Sequence, residues 1–71
     1  MSGAHIMEET AETRKIVKKA ERVFGPVAVA ISKETLGQSR NNDDFKEKYI
    51  ARLASITGNR ALVENIIKNG V

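Results

Sequence analysis

The chain has 71 residues, 41% apolar and 30% charged, with 12 basic and 9 acidic side chains and a formal charge of +3. That length allows one small domain, and the apolar share suits a folded core and is too high for a disordered tail. Cysteine is absent, which removes disulfide staples, thiolate zinc sites and cysteine nucleophiles and points to a reducing, cytoplasmic setting.

Residues 1–7 read as an expression leader, with Met7 as the first native or near-native residue and a single helical domain over 8–71. The segment lacks the basic and long apolar regions of a signal peptide. It holds the only histidine, His5. Without a placed histidine, neither a Ser-His-Asp triad nor a two-histidine metal site can be assembled.

From Glu8 to Phe24, apolar residues at Ile16, Val17, Ala20, Val23 and Phe24 fall on one side of a helix. Glu8, Glu9 and Glu12 open this helix and Lys15, Lys18, Lys19 and Arg22 close it, a polarity that suits the helix dipole. Gly25 supplies a left-handed stop, and Pro26 starts the next helix at its first position, where a missing N–H costs nothing.

The second helix is expected over Pro26–Leu36, with Val27, Ala28, Ala30, Ile31 and Leu36 as its apolar side and Gly37 as its stop. Alternation at Val27, Val29 and Ile31 would also suit a strand, but no second strand exists to pair with it. The run Val27–Ile31, five residues long, is the longest apolar stretch. It is far short of the roughly 18 residues that cross a bilayer.

Gln38–Asn42 is a polar loop, and Asn41 or Asn42 caps the third helix. Asp43 and Asp44 favour its positive end, and Asp44–Lys48 forms an i,i+4 pair. Phe45, Tyr49, Leu53 and Ile56 make its stripe and Gly58 its stop; Asn59 then caps a fourth helix with Leu62, Val63, Ile66 and Ile67, closed by Gly70. The expected fold class is therefore all-α, a compact bundle of about four short helices, consecutive ones packed by their short connections.

One charge feature stands out. Residues 13–22 carry Arg14, Lys15, Lys18, Lys19 and Arg22 against the single carboxylate Glu21, so the positive excess resides on one helix. Arg14, Lys18 and Arg22 form one row, and Lys15 and Lys19 the next. Such a face suits nucleic-acid phosphates, an anionic membrane surface or an acidic protein partner. The same pattern also serves as a plainly solvated helix face. The aromatics Phe24, Phe45 and Tyr49 lie on apolar stripes and offer no stacking platform. Tyr49 is the candidate apolar anchor of an interface, its competing assignment being a core ring with its hydroxyl at the surface. Asp43-Asp44 lacks calcium-loop spacing, and no phosphate-cradling glycine loop occurs. No cofactor and no metal are expected.

Phe24-Gly25-Pro26-Val27-Ala28, then Ile31 and Lys33, then a helix from Phe45 through Leu53 and Ile56, resembles one recurring module. It is similar to the small helical domain with a GP[IV]A motif at the C-terminus of some bacterial serine/threonine kinases and response-regulator-like proteins. The resemblance spans roughly residues 12–68, and its compact motif is four residues long. It departs from the family at the last helix, where Leu62 or Val63 stands in place of a closing aromatic. The resemblance implies an accessory, non-catalytic part of a signalling protein, used for interaction or oligomerisation. The reading that follows is a protein-binding or self-associating regulatory module; a small basic nucleic-acid-binding protein using the 14–22 face is the alternative.

Overall fold

The computed structural model describes residues 8–69; the expected leader over 1–7 and the expected stop at Gly70 lie outside them. Four α-helices follow in order: α1 (Ala11–Phe24), α2 (Pro26–Leu36), α3 (Asn42–Thr57) and α4 (Arg60–Asn69). No strand occurs among the described residues, so the all-α expectation holds and Val27–Ile31 is helical.

Local chemistry sets the helix ends. α1 starts at Ala11 rather than Glu8 because Thr10 caps it. The Thr10 hydroxyl accepts from the Thr13 N–H at 3.1 Å, and the Thr13 hydroxyl accepts from the Thr10 N–H at 2.8 Å. This reciprocal box satisfies two donors that the helix cannot. Glu8 and Glu9 thus precede the helix, and Glu12 alone of the three sits in its first turn. α3 is capped by Asn41, whose side-chain oxygen accepts from the Asp44 N–H at 2.8 Å. The Asp44 carboxylate in turn accepts from the Arg40 N–H at 3.0 Å and pairs with Lys48 at 3.2 Å. The Arg40 N–H first, then the Lys48 ammonium, hold the Asp44 carboxyl below its ordinary pKa. Asn59 caps α4 by accepting from the Leu62 N–H at 3.1 Å.

α1 and α3 each pack on all three other helices, whereas α2 and α4 make no mutual contact among the described residues. α3 supplies the large side chains of the core. Its buried Phe45, Tyr49, Ile50 and Leu53 meet Ile16 and Ala20 of α1, Ala28 of α2, and Val63 and Ile67 of α4. Phe45 and Tyr49 stack one turn apart, ring centroids 5.1 Å from each other.

The expected stripes are largely buried at their centres, Ala30 of α2 being exposed, and they fail at their ends. Val23, Val27, Ile56 and Leu62 are 48%, 44%, 59% and 41% exposed, although each belongs to a periodic apolar set. All four lie close to the corners at Gly25 and Gly58, where a thin bundle has no further element to cover them. Four hydroxyl residues, Thr13, Ser32, Thr35 and Ser39, are buried instead. Each donates to its own chain: Ser32 to the Val29 carbonyl at 2.6 Å, Thr35 to Ile31 at 2.7 Å, Ser39 to Thr35 at 2.6 Å and Thr13 to Thr10 at 3.0 Å. Burial without an orphaned hydroxyl removes most of its cost.

The two corner glycines differ in kind. Gly58 has φ 71° and ψ 15°, the left-handed helical region; Gly25 has φ 78° and ψ −155°, a region open essentially to glycine alone. A Cβ at either would have nothing within 4 Å, so any cost is purely conformational. Gly58→Ala should cost about 1 kcal/mol and Gly25→Ala more, within roughly 1–3 kcal/mol. Thermal unfolding followed by circular dichroism checks this, and an equal loss for both variants would contradict the assignment.

Candidate functional site

The structure separates the two parts of the expected surface. Tyr49 is fully buried, so it is not an exposed anchor, and its hydroxyl does not reach the surface. The hydroxyl donates to the Ala28 carbonyl of α2 at 2.7 Å. The physical reason is the small residue opposite: Ala28 leaves room for a ring to cross from α3 to the first turn of α2. Burial, and then the nearby Glu21 carboxylate, push the phenol pKa well above its ordinary value. Tyr49 is an inter-helix tie.

Arg14, Lys15, Lys18 and Arg22 are exposed, and Lys19 is half-buried. Arg14 pairs with Glu9 at 3.5 Å. The other four have no ion-pair partner among the described residues.

Pairing elsewhere sharpens this. Five ion pairs use Arg14, Lys46, Lys48, Arg52 and Arg60 with Glu9, Glu12, Asp44, Glu34 and Glu64. Seven cations and four carboxylates have no ion-pair partner among the described residues, and four of those cations lie between Lys15 and Arg22 on α1.

The two rows of α1 then diverge. Lys15 and Lys19 turn toward α3 and α4, where Lys46 and Lys68 join them around an open cleft of about 270 Å³. Ile16 and Ile67 form its floor, and Glu12 is the lone carboxylate on its rim among the described residues. Arg14, Lys18 and Arg22 do not line it. A neighbouring cleft of about 450 Å³ shares Lys46 and Lys68 but is balanced by Asp43, Glu47 and Glu64. The smaller cleft is the one with a one-sided field.

Lys46 and Lys68 were not foreseen, because the charge count along the sequence sees only local runs. A signal did exist. Lys15, Lys19, Lys46 and Lys68 each adjoin a buried core residue: Ile16, Ala20, Phe45 and Ile67. A lysine beside a core position sits at the edge of its helix's buried face, its stem along apolar surface and its ammonium in water.

Among the described residues, no group of three or more His, Cys, Asp or Glu side chains is placed to hold a metal ion. No helix among them is long and apolar enough to cross a membrane. No protein-family model, curated protein or solved structure matches the chain.

If Tyr49 acts only as an internal tie, Tyr49→Phe should lower stability by about 1 kcal/mol and leave ligand affinity unchanged. A variant of unaltered melting temperature that had lost its ligand would return the residue to the surface.

Proposed function

We propose that this protein is a non-catalytic interaction module of a cytoplasmic regulatory protein, one that holds an acidic protein partner against the cationic face of α1. The observation carrying this is the run of Lys15, Lys18, Lys19 and Arg22, without ion-pair partners among the described residues, on a helix whose opposite side is buried in the core. Exposed cations left without partners contribute little to folding. Gathered on one rigid face, they attract an anionic surface and set its orientation.

A protein partner is favoured over a second copy of the chain. A two-fold dimer through this face would bring like charges together. The four unpaired carboxylates Glu8, Glu21, Asp43 and Glu47 are divided between the start of the chain, α1 and α3, a poor complement for a concentrated basic row. It is favoured over nucleic acid because Phe45 and Tyr49 are buried and Phe24 is half-buried, leaving no platform for bases. The resemblance of Phe24–Ala28 to the corner motif of signalling accessory domains supports the regulatory setting.

The test is fluorescence anisotropy with a labelled Glu-rich peptide, set beside a random DNA duplex, at low and moderate salt. The peptide should bind, and the Lys15→Gln, Lys18→Gln, Lys19→Gln, Arg22→Gln variant should lose roughly tenfold or more in affinity while keeping its helical dichroism. Tighter binding of the duplex, with a steep salt slope, would replace this reading with nucleic-acid recognition.

A further inference from the structure

We propose that the partner's acidic segment seats in the cleft between α1, α3 and α4, and that Glu12 is a built-in competitor that weakens its binding. This rests on the reading of α1 as an acidic-partner surface and assigns that surface a specific site.

The cleft already holds a carboxylate of its own. Glu12 lies in the first turn of α1, and its carboxylate faces α3. One oxygen is 3.8 Å from the Lys46 ammonium, and the other accepts from the Asn42 side-chain N–H at 3.5 Å. Both contacts are long, and the Glu12 side chain remains 51% exposed. The chain's own carboxylate therefore occupies the rim loosely and meets one of four lysines; Lys15, Lys19 and Lys68 have no ion-pair partner among the described residues. An incoming carboxylate finds three unpaired ammonium groups and a fourth that it can share or take.

The donor types favour carboxylates on a peptide. The rim carries lysines and no arginine, so it lacks the planar forks that grip phosphate bidentately. The floor of Ile16 and Ile67, walled by lysine stems, accepts an aliphatic side chain between two acidic ones. A volume of about 270 Å³ admits a few side chains of an extended or helical segment. The neighbouring cleft has three carboxylates of its own against Lys46, Arg60 and Lys68, and its balance gives no comparable pull.

Electrostatic competition makes an uncommon prediction, a gain on substitution. The experiment titrates a labelled peptide of repeating Glu-Glu-Leu against the full chain and three variants at low ionic strength. Glu12→Gln should bind about two- to fivefold more tightly. The cleft double variant Lys19→Gln, Lys68→Gln should bind more weakly by at least that factor. The outer-row variant Arg14→Gln, Arg22→Gln should change affinity far less. Circular dichroism and melting temperature verify the fold of each, and a tighter-binding variant cannot be explained by unfolding.

If the loss falls on the outer row and Glu12→Gln is neutral, the cleft assignment is overturned while the α1 reading stands. If the unaltered chain binds no acidic peptide at low salt, both fall. A duplex that outcompetes the peptide, or a dimer in sedimentation that Lys19→Gln, Lys68→Gln dissolves, overturns the choice of occupant.

Discussion

The fold depends on α3 being able to pack on three neighbours at once. Four helices of 10 to 16 residues cannot enclose a wide interior, so α1 and α3 each pack on all three of the others. α3 does this with large side chains on successive turns, Phe45, Tyr49 and Leu53, and with Ile50 beside them. Tyr49 is the critical member. Its ring fills the space above Ala28, and its hydroxyl finds the one kind of partner that a fully buried phenol needs. A second set of ties closes the α2–α3 seam. Arg52 reaches Glu34 and the Gln38 side chain, and Lys48 reaches the Gln38 carbonyl. At the far end, the Thr10 hydroxyl donates to the Asn42 side chain at 2.9 Å and joins the starts of α1 and α3.

Much of this was written in punctuation. Gly25-Pro26, Gly58-Asn59 and Asn41 fix where helices begin and end, because their chemistry is local: a positive φ, a missing N–H, a side chain that caps. Depth was not written there. Period 3.6 tells which residues share a side of a helix, but not how far along the helix a neighbour extends. Val23, Val27, Ile56 and Leu62 satisfy the period and still face solvent, since they flank corners. Ile50, off the expected stripe, is buried because α3 has neighbours on more than one side. The burial of Tyr49 has the same origin; its hydroxyl's partner belongs to α2, 21 residues away in sequence.

The cationic site shows the same division between local and distant information. Arg14, Lys15, Lys18, Lys19 and Arg22 are legible as a run. What splits the run into two rows with different surroundings is the packing of α1 on α3 and α4, which brings Lys46 and Lys68 beside Lys15 and Lys19 and leaves Arg14, Lys18 and Arg22 outside the cleft. Net charge on a segment therefore overstates the similarity of its members. Lys15, Lys18 and Lys19 cost the fold little where they stand, because ammonium groups on flexible stems remain in water.

Glu12 joins the two themes. At the first turn of α1 a carboxylate favours the helix by roughly 0.3–1 kcal/mol through the dipole, and at the rim of the cleft it offsets part of the lysine field. A chain of this size has few turns, so the residue that starts a helix is seldom far from the surface that the helix displays. Stability at the helix start and attraction at the cleft then pull in opposite directions on one side chain. A glutamate held loosely, with long contacts to Lys46 and Asn42, serves the first demand while leaving the lysines open to exchange. An arginine in place of Lys46, gripping Glu12 bidentately, would favour the fold and close the site.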